Sequence, residues 1–110
     1  MRTTITNVKD ENIWQLMRQA GYKHLGQTEQ EWSFVRPLAG AAYPRFHAYL
    51  KHDSVNKKIA LNLHLDQKRA SYAGTTAHSG EYDGQLLLDE LARLTRLLQL
   101  PSTDRELFAQ

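Results

Sequence analysis

The sequence predicts a two-layer α+β fold: an antiparallel three-stranded sheet with an N-terminal and a C-terminal helix on one face, in the order α-β-β-β-α. Three observations carry this. Residues 58–68 alternate, with Ile59, Leu61, Leu63 and Leu65 to one side and Asn62, His64 and Asp66 to the other. Residues 45–51 alternate in the same way, with Phe46, Ala48 and Leu50 opposite His47, Tyr49 and Lys51. A period of two marks a strand with one buried face. Leu87, Leu91, Leu94 and Leu98 recur at intervals of three and four, the stripe of an amphipathic helix. With 110 residues in all, the chain is expected to form one domain spanning 1–110.

The elements follow in order. Thr3 to Val8 is rich in β-branched residues, a signal for a short strand too brief to enter the predicted sheet. A first helix is expected over residues 11–20, capped by Asp10, with Ile13, Leu16, Met17 and Ala20 on its apolar face. Gly21 followed by Tyr22 suits a left-handed C-cap with a hydrophobic closing contact. Trp14 and Trp32 are both expected to join the core. Glu31 to Arg36, with Trp32, Phe34 and Val35, reads as a strand ended by Pro37. Asp53-Ser54-Val55-Asn56 has turn chemistry and joins the two alternating strands into a hairpin. Residues 69–84 read as a long glycine-containing loop, leading to a helix capped by Asp83 and ended by Pro101. Leu86, Leu88, Leu97 and Leu100 widen the stripe of that helix, enough for a second buried side or a dimer contact. Within residues 101–110, Thr103 and Glu106 form a capping-box pattern and predict a short helical tail.

Composition excludes more than it assigns. There is no cysteine, which removes disulfide frameworks, thiolate metal sites and cysteine nucleophiles. No apolar run approaches the roughly 20 residues of a membrane helix, and the first residues lack the apolar stretch of a signal peptide. The expected location is therefore the reducing cytoplasm. Lys and Arg number 14 against 12 Asp and Glu, a formal charge of +2, with no run of like charges to act as a basic arm. No phosphate loop, dinucleotide fingerprint, paired-histidine metalloprotease helix or nucleophile elbow is present.

Function is therefore sought on the polar side of the sheet. A four-residue loop, Asp53 to Asn56, pairs His52 with Lys57, Tyr49 with Ala60, His47 with Asn62, Arg45 with His64 and Tyr43 with Asp66. In that register His47 and His64 are diagonal neighbours, roughly 7–8 Å apart at the backbone. The patch suits three kinds of chemistry, set against a plain alternative in which the face is polar only because water touches it. Arg45, Tyr49, Asn62, His78, Glu81 and partly protonated histidines can take an anionic ligand such as nucleic acid. His64, His47 and Asp66 can act as catalytic acid and base on a phosphoester, with Arg45 steadying the phosphate charge. His47, His64, Asp66 and His78 can hold a divalent transition metal, for which Glu81 is an alternative fourth ligand. The long loop brings His78, Glu81 and Asp83 to the start of the last helix, whose first amides favour an anion unless Asp83 already fills that end. A non-catalytic binding module for an anionic ligand ranks first, a metal-dependent or histidine-based phosphoester hydrolase second. An interaction subunit that forms a homodimer through the C-terminal helix is the third reading.

Through Tyr43-Pro44-Arg45-Phe46-His47, Leu63-His64-Leu65-Asp66-Gln67-Lys68 and His78-Ser79-Gly80-Glu81-Tyr82-Asp83-Gly84, the chain resembles a small bacterial family of uncharacterised proteins. The resemblance covers the central part of the chain and implies no activity. In element order alone, helix, three strands, helix is similar to double-stranded-RNA-binding domains and to some small RNase toxins. The lysine cluster such RNA-binding domains place at the start of the last helix is replaced by Gln85, Leu86 and Leu87.

Overall fold

The computed structural model describes residues 1–8, 12–67 and 84–100 in full, and residues 80–83 by their backbone. Along the chain these form β1 (Arg2–Ile5), α1 (Ile13–Gln19), β2 (Lys23–Gln27), β3 (Trp32–Pro37), β4 (Arg45–Asp53), β5 (Lys58–Asp66) and α2 (Gly80–Gln99). The fold class is α+β, with a sheet of five strands rather than three. Their spatial order is β1-β5-β4-β3-β2, and each neighbouring pair is antiparallel. A strand precedes the first helix and four follow it, so the α-β-β-β-α order, and the likeness to RNA-binding domains that rested on it, does not hold.

The two added strands are the sheet's edges. β1 runs along β5, with Arg2 opposite Asn62 and Ile5 opposite Ile59. β2 runs along β3, and between His24 and Gly26 the register shifts, leaving Leu25 as a bulge. Lys-His-Leu-Gly-Gln has no alternating pattern of its own, and its single leucine is 51% exposed. Such a strand is held by the backbone ladder of its neighbour rather than by its own apolar side chains.

The central hairpin has the expected faces and a different register. Asp53 pairs with Lys58, so the turn is Ser54 to Lys57, one residue further on than predicted, and each residue's cross-strand partner moves by two. The Asp53 carboxylate accepts from the Asn56 backbone N–H at 3.1 Å and from its side-chain amide at 2.8 Å, while Lys57 takes a left-handed φ of 55°. A slip of two preserves every residue's face, so matching apolar residues across the hairpin cannot detect it.

Both helices bury their apolar sides against one face of the sheet. Ile13, Leu16 and Met17 of α1 and Leu94, Leu97 and Leu98 of α2 join Ile5, Phe34, Phe46, Ala48, Leu50, Ile59, Leu61 and Leu63 in one core. Trp32, Leu65, Leu86, Leu87 and Leu91 pack at its margin, whereas Trp14 lies largely outside, with the Arg18 guanidinium over its ring. Most of the leucine stripe of α2 is thus spent on this core, and Leu88 is its exposed exception. α1 is capped by Asn12, whose side chain accepts from the Gln15 N–H at 3.1 Å, rather than by Asp10, which lies outside the described residues. It ends as expected: Gly21 has a φ of 97°, and the Gly21 and Tyr22 amides donate back to the Arg18 and Met17 carbonyls. α2 starts at Gly80, so Glu81 and Asp83 stand in its first turns instead of in a loop or at a cap. The expected tail at 101–110 falls outside the described residues.

One polar cluster fastens α2 to the rest. Glu90, 4% exposed, accepts from Tyr22 Oη at 2.6 Å, from Arg36 at 3.1 and 3.2 Å and from Arg93 at 2.8 Å. Arg93 also donates to the Ala20 carbonyl at the end of α1. Burial by itself pushes the Glu90 carboxyl up, but the hydrogen bonds from Arg93, Arg36 and Tyr22 outweigh it and leave it below the usual carboxylate range. Burial, followed by the adjacent carboxylate, drives the Tyr22 phenol far upward. None of the described helices is long and apolar enough to cross a membrane.

Candidate functional site

The sheet face turned away from the helices carries Arg2 and Thr4 of β1, Ser33 of β3, Arg45, His47, Tyr49 and Lys51 of β4, and Asn62, His64 and Asp66 of β5. Because β4 and β5 pair two residues out of the predicted register, His47 stands directly opposite His64, Arg45 opposite Asp66 and Tyr49 opposite Asn62. On the other side of β4, Ser33 of β3 is opposite Tyr49 and Val35 is opposite His47.

A hydrogen-bonded row crosses three strands of this face. Asp66 Oδ2 is 2.9 Å from His47 Nδ1, and His47 Nε2 is 2.6 Å from Ser33 Oγ. A carboxylate can only accept, so Nδ1 carries the proton; in the neutral ring Nε2 then accepts from the serine hydroxyl. The same Asp66 oxygen accepts from Arg45 Nε at 3.1 Å. His47 is 8% exposed and stacks on Tyr49 with ring centroids 4.2 Å apart, while Tyr49 meets His64 edge-on at 5.7 Å. Burial, then the Asp66 carboxylate, pushes the Tyr49 phenol up, so it remains a neutral donor.

These contacts show what each predicted site residue touches. Arg45 is paired with Asp66 and stacked over Tyr43 at 4.5 Å, so its charge is already answered. Both ring nitrogens of His47 are engaged by the protein. Among the described residues no group of three or more histidine, aspartate or glutamate side chains is arranged to hold a metal ion. His78, the fourth ligand of the expected metal site, lies outside the described residues, and Glu81 is placed by its backbone in α2.

His64 departs from the expectation of partly protonated histidines. Burial lowers its pKa first, with the N-terminal ammonium, His47 and Arg2 adding to this and Asp66 opposing it. It is therefore mainly neutral at physiological pH. The consequence for stability has a definite sign. A folded-state pKa below the unfolded one means that the unfolded chain binds the proton first, so stability falls as pH drops through the ordinary histidine range near about 6.5. His64→Gln is expected to lose less stability than the wild type between neutral and mildly acidic pH, read as the shift of the urea midpoint. An NMR titration placing His64 above the ordinary range would contradict this.

Next to the row lies a hollow of about 360 Å³, lined among others by Arg2, Thr4, Tyr49, Lys51 and Asn62. It lies over the small Ala60, with Thr4 and Lys51 flanking that residue on the neighbouring strands. In the Asn62 side chain, Oδ1 is buried without a hydrogen-bond partner among the described residues. Arg2 and Lys51 form no ion pair with any described residue, and Glu31 is the one acidic residue in the lining. Sequence reasoning placed Lys51 on this face without using it, and it missed Arg2 because β1 was not counted in the sheet. It also missed Ser33, although Trp32 and Phe34 on either side of it place its side chain on the opposite face from theirs.

No family model, curated protein or solved structure matches the chain. The functional reading therefore stands on the geometry of this face.

Proposed function

We propose that the open sheet face is a binding surface for an anionic ligand, and that single-stranded nucleic acid is the ligand class it suits best. The observation that carries this is the hollow over Ala60, with two cations on opposite sides of it, Arg2 and Lys51, neither in an ion pair among the described residues. Phosphates spaced along a strand meet such cations. Tyr49 and the exposed His64 offer planar surfaces beside them, and the Asn62 side chain lines the hollow between. This reading keeps Tyr49 and Asn62 from the sequence analysis and moves the anion contacts from Arg45 to Arg2 and Lys51. The phosphoester-hydrolase reading ranks behind it because, among the described residues, the histidines and Asp66 are not arranged to hold a metal ion. The dimer reading loses support because the leucines of α2 are largely in the core.

Titration of a fluorescent single-stranded RNA against salt tests it. The wild type is expected to bind with a log–log salt slope that falls by about 1.4 when two phosphate contacts are removed in Arg2→Ala/Lys51→Ala. Affinity in that variant should fall by roughly 30-fold, about 2 kcal/mol. Binding that is absent at low salt, or identical in the variant, would show that this face is not the nucleic-acid surface.

A further inference from the structure

Beyond ligand binding, we propose that Ser33 is an activated nucleophile toward carboxylic esters with a small acyl group, with His47 as its base and Asp66 holding the base in orientation. The three groups lie in line on β3, β4 and β5: hydroxyl to Nε2 at 2.6 Å, Nδ1 to carboxylate at 2.9 Å. Those are the nucleophile-to-base and base-to-carboxylate contacts that activate a serine hydroxyl. Asp66 selects the tautomer that leaves a lone pair on Nε2, and the stack on Tyr49 fixes the plane of the ring.

Space for an acyl group is next to the hydroxyl. Gly26 is the β2 residue opposite Ser33, and a side-chain carbon built on it would meet nothing within 4 Å. The Leu25 bulge immediately precedes Gly26, interrupting the ladder beside the serine. Leu25 is exposed and Val35 lies one pair further along β3, so the surroundings are apolar enough for a short acyl chain.

The reaction needs only water as co-reactant. Ser33 Oγ bonds to the ester carbon while its proton passes to His47 Nε2. The bond from carbon to the leaving oxygen breaks, and that oxygen takes the proton from Nε2, releasing the alcohol. Water then adds to the acyl carbon, giving its proton to Nε2. The Ser33 oxygen leaves with that proton and the carboxylic acid departs.

The reactivity of Ser33 is read directly by treating the full chain with p-nitrophenyl acetate, which acylates the hydroxyl, or a fluorophosphonate, which phosphonylates it with loss of fluoride, and measuring intact mass and peptide maps. One adduct per chain is expected, located at Ser33 and absent in Ser33→Ala. In His47→Gln, which retains a polar side chain, the labelling rate is expected to fall about 100-fold. Circular dichroism establishes that the variants are folded. No adduct at Ser33 in the folded wild type, or an equal rate in His47→Gln, overturns the proposal. Neither result bears on RNA binding, which depends on Arg2 and Lys51.

Discussion

Replacing Glu90 by alanine is expected to destabilise the protein by about 3 kcal/mol and to lower Tm by roughly 10 °C. The carboxylate is buried, and its removal leaves three donors facing one another: Tyr22 Oη and the guanidinium groups of Arg36 and Arg93. The two arginines are about one-third exposed, which places the cost at the lower end for a broken buried pair. Glu90→Gln keeps an acceptor and loses the charge, so it should cost less. Because the folded-state pKa lies below the unfolded one, the contribution of Glu90 is present above the ordinary carboxylate range and is lost as pH falls through its folded value. The wild type should therefore approach the stability of Glu90→Ala as acid is added. Urea unfolding of both proteins at neutral pH and at about pH 3 measures this, and a neutral-pH difference below about 1 kcal/mol would mean the cluster is not a structural tie.

Asp66→Ala is expected to cost about 2 kcal/mol, since it removes the shared acceptor of Arg45 and His47. The effect reaches beyond stability. Without the carboxylate, His47 is free to adopt the other tautomer and to turn its ring, and the hydroxyl of Ser33 loses its acceptor for part of the time. Labelling of Ser33 should then slow by a factor of tens, while RNA binding at Arg2 and Lys51 changes little. Urea midpoints and labelling rates from one preparation separate the two effects. A variant that is destabilised but labels Ser33 at the wild-type rate would mean that Asp66 serves only the fold.

The two arguments draw on different parts of the chain, and they differ in how far the sequence discloses them. Tyr22, Arg36, Glu90 and Arg93 form a cluster between residues as many as 73 positions apart when Ala20 is counted. No local pattern joins them. The Asp66–His47 part of the site was legible as polar residues of two alternating strands, although the partner of each was misassigned. Ser33 was legible in principle, since it lies between two inward aromatics. Its meaning appeared only once β3 was placed beside β4.

By itself, the sequence determined the α+β class, the apolar stripe of α2, the C-cap of α1 at Gly21 and the faces of the central hairpin. Each follows from residues near one another in the chain, through a period of two, a period of 3.6 or a left-handed turn. Tertiary structure alone decided the five-strand order, the edge strands β1 and β2, the pairing of His47 with His64 and the alignment of Ser33, His47 and Asp66. Strand alternation specifies a side and not a partner, because a two-residue slip leaves every side chain on the same face. Only the turn hydrogen bonds of Asp53 and the backbone ladders with neighbouring strands remove that freedom.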